Sequence, residues 1–456
     1  MRGIVIKTSV TERQKPSVNS MVTAAYNFGK IVNVKGSVFG DLVDGEDIWY
    51  KLDNDFYLWS GSVELDVDCS FLPEDQRDHY LISYRQRHPD GRPNLDTKEP
   101  SKELYFVPVR LPADTESIRA DVLNPITFAE SIRQAVSKLD DHRKHVFVYI
   151  HGYQLFSSLK LDLLSSFVLN YITHPENSIA KVLFLAWPGQ GGPSRKTVDD
   201  RSVKAGQQFT ELGFFSYFEH LAKEIGKEGK TLNLLVHSFG HQLLNGMLNP
   251  GGCSSENASK TEKRFNRIFK NIFLMAPDIT HLTLQMDGKC LPNYFQDSDG
   301  LNFHYQFSRL KELGEHVHVF YDKYDYLLYS STKKFVGKRN LRRAKDKLAV
   351  TQDYRNLGNY GISKLTADMI EPDFNLVNVE ELIGRGAPGD LLDFPFQNIK
   401  ERRAGQLIDR VWDLADYDGI NAKHIIFNAG RFPNHHRYLF TCKPVVEEVL
   451  RLLKQP

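Results

Sequence analysis

The sequence predicts an α/β fold, a mostly parallel sheet with helices on both faces, preceded by a small all-β unit. Three observations carry this. From about residue 75 onward, continuous apolar strand-like runs such as "HVFVYI", "KVLFLA", "LNLLV" and "NIFLMA" alternate with segments of helical period, the pattern of strands buried on both faces. The first seventy residues instead show short alternating segments broken by Gly, Asp and Asn, which reads as a separate β unit. The length, 456 residues, exceeds one ordinary domain and suits a large domain with a small companion.

Composition narrows the functional classes. Hydrophobic residues are 41% of the chain, and 58 Lys and Arg nearly balance 57 Asp and Glu for a formal charge of +1, a globular profile. A neutral total gives no electrostatic reason to expect nucleic acid or an anionic membrane as partner. The basic run "KKFVGKRNLRRAKDK" reads as a solvated surface. The cysteines, Cys69, Cys253, Cys290 and Cys442, are scattered without a C-x-x-C pair or a metal-ligand spacing to His, so reduced thiols and no metal site are expected. No signal-peptide core follows Met1, and no run reaches the ~18 apolar residues of a membrane span. The expectation is a cytoplasmic protein without a membrane span.

In the N-terminal unit, "KIVNVKGSVFGDL", "DIWYKLD" and "FYLWSGSVEL" are the strand-like segments, and length suggests five or six strands over residues 1–68. With "RQKPS" in the first loop, "WYK" in the middle and "YLWSGSVEL" near the end, this stretch resembles bacterial SH3-like domains. The resemblance implies a small barrel in which Trp49, Tyr50 and Trp59 either fill the core or line a groove for a peptide or glycan. A polar, Pro-containing boundary follows near residue 70, and a long exposed loop is expected at about 86–103.

The second domain is read as 75–456. "NPITFAESIRQAVSKLDD" sets Phe128, Ile132, Ala135, Val136 and Leu139 at helical spacing behind Pro125, a residue suited to a first helical turn. The decisive stretch is "TLNLLVHSFGHQLLNGML", Thr231 to Leu248. Leu232, Leu234, Leu235 and Val236 form a buried-strand run, whereas Phe239, Leu243, Leu244, Met247 and Leu248 follow a helical period. The change of period falls on Ser238. A serine on such a strand-to-helix turn sits at the C-terminal edge of the sheet, before a helix N-terminus, where both features favour attack on a carbonyl. The Gly-x-Ser-x-Gly pattern keeps its second glycine as Gly240, but Val236 replaces the first. Upstream, "HVFVYI" ends in His151, Gly152 and Tyr153, the place for one side of an oxyanion hole whose backbone donors would be those of Tyr153 and Phe239.

From about residue 75 the chain resembles an uncharacterised, serine-esterase-like branch of the α/β-hydrolase superfamily. "HGY", "AWPG", "VHSFG", "APDIT", "DKYDYLLYSS" and "HHRYLF" stand in that order. The resemblance implies an α/β-hydrolase fold with Ser238 as nucleophile, Asp325 as acid and His436 as base, in the chain order Ser, acid, His. Asp278 is the alternative acid and Asp322 a further one; the His-x-Tyr spacing to Tyr438 selects His436 over His435. His151 is expected to organise the oxyanion loop by hydrogen bonds, and Trp187 to pack near the pocket rim. A cap-like insertion is expected at about 335–432, with Phe394, Phe396 and Trp412 either in the cap or in a satellite core. No P-loop, dinucleotide fingerprint or H-E-x-x-H is present, so no cofactor is expected.

These readings give a serine hydrolase that cleaves a carboxylic ester in a small-molecule or acyl substrate through an acyl-enzyme on Ser238. Amide and thioester cleavage use the same residues. A different class stands beside it: an inactive hydrolase-fold scaffold, its elbow spoiled by Val236, whose SH3-like domain recruits a partner.

Overall fold

A computed structural model describes residues 2–5, 9–27, 30–43, 46–66, 74–91, 94, 97, 99–111, 123–152, 167–172, 174, 176–188, 195–249, 265–278, 309–322, 325, 328, 374–383, 391–392, 439 and 443–455. The first unit is an antiparallel sheet of seven short strands: β1 (Arg2–Val5), β2 (Val10–Arg13), β3 (Val22–Tyr26), β4 (Ile31–Val43), β5 (Glu46–Leu52), β6 (Tyr57–Trp59) and β7 (Val63–Asp66). Their order is β3-β2-β6-β5-β4-β1-β7. This exceeds the five or six strands expected, because the four-residue β1 pairs with both β4 and β7. Such a sheet is consistent with a small β domain.

Its core holds Val5, Val34, Leu52, Leu58 and Val63. Trp49 and Tyr50 are both buried, and the Trp49 indole N–H donates to the Asp41 carbonyl at 2.9 Å. A Cβ at Gly40 would lie 2.5 Å from the Trp49 ring, so glycine there makes room for the indole. The buried Glu12 carboxylate joins three parts of the sheet, accepting from Thr23 (2.7 Å), Tyr26 (2.6 Å) and Asn54 (3.0 Å). Burial works against its charge, but these three bonds prevail and hold the carboxyl below its ordinary range.

The second sheet is built from β8 (Asp78–Arg85), β9 (Pro100–Arg110), β10 (His145–Ile150), β11 (Ile179–Ala186), β12 (Thr231–His237), β13 (Phe269–Met275), β14 (Gly314–Tyr321) and β15 (Phe374–Asn378). The order is β15-β14-β13-β12-β10-β11-β8-β9. All neighbours run parallel except β8 and β9, an antiparallel hairpin at one edge. Because β9 begins at Pro100, the β8–β9 connection is shorter than the sequence suggested. A two-residue strand, β16 (Leu391–Leu392), pairs back onto β4 of the first unit.

Helices cover both faces. On one lie α1 (Pro125–Ser137), α2 (Arg195–Glu211), α3 (Phe214–Gly226) and α4 (Gly240–Leu248). Their apolar side chains pack on Ile82, Val146, Val148, Leu234 and Val236 of the strands. On the other lie a π-helical turn, Val168–Ile172, and α5 (Lys443–Leu453), packed on Phe147, Tyr149, Leu235 and Phe273. Helix α1 starts where the sequence predicts, with Pro125 in its first turn and Asn124 accepting from the Thr127 N–H at 2.9 Å. Helices α2 and α4 touch backbone to backbone: a Cβ on Gly206 would lie 2.1 Å from the Leu243 carbonyl, and one on Gly246 would lie 2.0 Å from that of Val203.

A row of polar side chains, buried except for the half-buried Thr231 and the exposed Asn375, crosses the sheet below its C-terminal edge. His145 meets Thr231 (2.8 Å), Asn233 bonds Asn271 (2.9 Å), and His318 lies between Asn271 and Asn375 (3.1 Å each). Burial holds the imidazoles of His145 and His318 down at about 4, with Lys144 adding to the effect at the first and His316 and Arg451 at the second. At the β8–β11 side, burial and then Lys181 hold His79 at about 3, its Nδ1 accepting from the Val182 N–H and its Nε2 donating to the Gln76 carbonyl. All three therefore stay neutral in the fold, whereas their unfolded counterparts gain a proton as pH falls below the ordinary 6.5. The unfolded state then binds more protons, so this stability is present above pH 6.5 and is lost as pH falls toward the folded values. Between pH 7 and pH 5 each histidine is expected to withdraw roughly 2 kcal/mol. Urea midpoints across this range check it, with His318→Gln reducing the fall by roughly 2 kcal/mol; a profile that His318→Gln leaves unchanged contradicts it.

Candidate active site

Strand β12 carries its ladder to the turn, the Ser238 N–H donating to the Met275 carbonyl of β13 at 2.9 Å. There the backbone reverses its sense: Ser238 has φ of 51°, left-handed and unfavourable for a residue with a Cβ by roughly 1–2 kcal/mol. Phe239 is already helical at φ −63° and ψ −16°, and α4 begins at Gly240. The Ser238 carbonyl accepts twice from His241, from its N–H at 3.1 Å and from its Nδ1–H at 2.6 Å. Backbone strain of this kind clusters at functional sites.

Two glycines permit the turn to sit where it does. A Cβ on Gly152, just past β10, would lie 2.8 Å from the Ser238 Cβ and 3.1 Å from the His237 carbonyl. A Cβ on Gly240 would lie 2.8 Å from the His151 carbonyl and 3.1 Å from that of Ile150. The end of β10 and the start of α4 are thus in main-chain contact. Val236 does not prevent this. It is fully buried, sits between Ile150 and Leu274 in the sheet and belongs to the core under α4.

The location has a topological reason. From β10 the chain crosses to β11 on one side and later returns to β12 on the other, so the C-terminal ends of β10 and β12 flank a switch point, where open α/β sheets bind ligands. His151 and Gly152 leave one side and Ser238 the other. The His151 ring lies between those of Phe184 (5.5 Å, 15°) and Trp187 (5.5 Å, 19°), and its Nδ1–H donates to the Gly152 carbonyl at 2.6 Å. His151 thus organises this loop by hydrogen bonding. Phe239 is buried beside the serine.

Three buried carboxylates occupy the same edge. Asp278 follows β13 after Ala276, itself left-handed at φ 46°, and its carbonyl accepts from the Gln242 side-chain amide at 2.8 Å. Asp322 follows β14 directly; the Asp325 N–H donates to its carbonyl at 3.0 Å, and the Asp325 carboxylate accepts from the Leu328 N–H at 3.1 Å. The structure therefore brings Ser238, Phe239, Asp278, Asp322 and Asp325 to the C-terminal ends of three adjacent strands. Tyr153, His435, His436 and Tyr438 lie outside the described residues, as do Phe394, Phe396 and Trp412. Among the described residues, no group of three or more His, Cys, Asp or Glu is placed to hold a metal ion, and no helix is long and apolar enough to cross a membrane.

Two supporting residues were not singled out from the sequence, His241 and Gln242. Their signal was present: both are polar in the first turn of a helix all nine of whose residues are buried, a place where polar side chains are kept for specific bonds.

The sheet order, the helices on both faces and the strand-to-helix serine turn define an α/β-hydrolase fold. Residues 127–353 match a family described as "Alpha/beta hydrolase of unknown function (DUF900)", which supports a place for the chain in the α/β-hydrolase superfamily. No curated protein matches the chain.

The Gly152 contact yields a direct expectation. Gly152→Ala forces Ser238 or the β10 loop to move, and is expected to slow reaction of Ser238 with an organophosphonate by about a hundredfold or more while far-ultraviolet circular dichroism stays as in the unaltered chain. Unchanged reactivity of the folded variant contradicts the geometry.

Proposed function

We propose that the chain is a serine hydrolase that cleaves a carboxylic ester through an acyl-enzyme on Ser238, with His436 as base and Asp325 as its orienting acid. The observation that carries this reading is the left-handed backbone at Ser238, held between β12 and α4 at the sheet's switch point. Such strain at a serine has no packing benefit that glycine would not supply more cheaply. The match over residues 127–353 supports a hydrolase at the level of the fold.

In this reading, the Ser238 hydroxyl attacks the ester carbonyl as His436 takes its proton, and the developing oxyanion is met by the backbone N–H groups of Phe239 and Tyr153. His436 returns the proton to the departing alcohol. Water, activated by the same imidazole, then attacks the acyl-enzyme and frees the acid and the serine. Asp325 keeps the imidazole in the required tautomer. It is favoured over Asp278 because "DKYDYLLYSS" resembles the family's acid-bearing segment and because it lies just past β14; Asp278 is the alternative acid.

Fluorophosphonate labelling tests the reading. The unaltered protein is expected to label, with loss of label in Ser238→Ala and His436→Ala variants that retain their circular dichroism. On short-chain p-nitrophenyl esters, Asp325→Asn is expected to lower kcat about 10³–10⁴-fold, and Asp278→Asn by less than about tenfold. A folded protein that does not label contradicts the proposal, and a reversed order of the two Asp variants moves the acid to Asp278. Matched amide and thioester substrates decide the bond class.

A further inference from the structure

We propose that Trp187 is a positioning residue for the oxyanion hole, setting the separation between the β10 loop and the elbow, and that Arg85 fixes Trp187 in place. The proposal rests on the serine-hydrolase reading for its catalytic consequence. Its structural content stands on the contacts alone.

Trp187 directly follows β11 and is fully buried. Its ring is third in a stack of four. Phe184 and His151 are 5.5 Å apart at 15°, His151 and Trp187 are 5.5 Å apart at 19°, and Trp187 and Phe239 are 6.4 Å apart at 9°. The stack runs from β11 across the β10 loop to the residue after the nucleophile. The rings of His151, in the β10 loop, and of Phe239, in the elbow, are thus both near-parallel neighbours of the same indole.

The indole also makes a directional bond, its Nε1–H donating to the His151 carbonyl at 2.9 Å. That carbonyl is the atom closest to where a Cβ of Gly240 would lie, at 2.8 Å. One oxygen therefore links the β10 loop, the indole and the first residue of α4. The Gly152 carbonyl is held in turn by His151 Nδ1–H, and Gly152 abuts the Ser238 Cβ. A shift of the indole is passed to both sides of the hole.

Arg85 supplies the anchor. It is fully buried at the end of β8, and its guanidinium donates through Nη2 to the Trp187 carbonyl and through Nη1 to the Thr97 carbonyl at 2.5 Å. A planar fork that holds two main-chain carbonyls fixes a direction that a lysine ammonium does not. Arg85 and Trp187 thus connect β8, one strand in from the sheet's edge, to the reaction centre.

A space-filling role for Trp187 predicts a different outcome from a positioning role, and Trp187→Phe separates them. Phe keeps a ring in the stack and removes the N–H donor. Misplacement of oxyanion donors costs rate in the transition state more than substrate binding, so kcat on a p-nitrophenyl ester is expected to fall about ten- to a hundredfold with KM within about threefold and the pH profile unshifted. Arg85→Lys, which leaves the indole in place, is expected to show the same split to a smaller extent and serves if the Phe variant does not fold. Hydrogen exchange read by mass spectrometry gives a measure independent of catalysis: exchange is expected to quicken in residues 145–152 and 237–243 while distant strands keep their rates. Unchanged kcat with unchanged exchange in those segments overturns the proposal. If the unaltered protein itself fails to label with fluorophosphonate, the hydrolase reading falls, and the exchange result alone decides whether Trp187 positions the two segments.

Discussion

The contact on which the site depends is main chain against main chain: Ile150 to Gly152, at the end of β10, lies against Ser238 to Gly240, at the start of α4. It exists because Gly152 and Gly240 lack side chains at the two points of closest approach. From it follow the left-handed Ser238, the placing of a helix N-terminus behind that residue and the proximity of the β10 loop to Phe239. The departure at Val236 loses its significance in this light. The room that a glycine two positions before the serine would provide is supplied across the sheet by Gly152, so a β-branched residue can stay in the strand core.

The rest of the domain holds that contact in place. Helix α4 is buried at all nine positions, and its far half is clamped to α2 by the reciprocal approach of Gly206 and Gly246, with Thr210 donating to the Met247 carbonyl at 2.8 Å. Burial of this apolar surface, at roughly 25 cal/mol per Å², outweighs the strain of one left-handed residue. The body of the sheet and its edge divide the polar work. Below the C-terminal edge, His145, Asn233, Asn271 and His318 bond to one another and tie strands together. Just past the C-termini of β13 and β14, at the edge that carries the serine turn, Asp278, Asp322 and Asp325 are buried, and buried carboxylates are costly unless they are bonded or matched to a cation.

Much of this was legible in the sequence because it rests on period. The change from strand to helix spacing at Ser238 located the turn, Pro125 located the start of α1, and the apolar runs of β10 to β13 marked a sheet covered on both sides. What was not legible depends on contacts between distant residues. No local pattern shows that the Trp187 indole reaches the His151 carbonyl, that Arg85 ends on the Trp187 main chain, or that Gly152 abuts Ser238. Trp187 was read only as a rim residue, and Trp49 and Tyr50 were left between core and groove until burial placed them in the interior. The acids stayed ambiguous for a related reason: Asp278, Asp322 and Asp325 all lie just beyond neighbouring parallel strands, so order along the chain brings all three to one edge.

The proposed mechanism requires Ser238 to become covalently acylated during turnover. The most direct measurement is mass spectrometry of the acid-quenched protein after mixing with p-nitrophenyl trimethylacetate, whose hindered acyl group leaves an acyl-enzyme slowly. One trimethylacetyl group per chain, mapped by digestion to Ser238, is the expected result. Release of nitrophenol with no acylated protein, or with the acyl group on another residue, would contradict it.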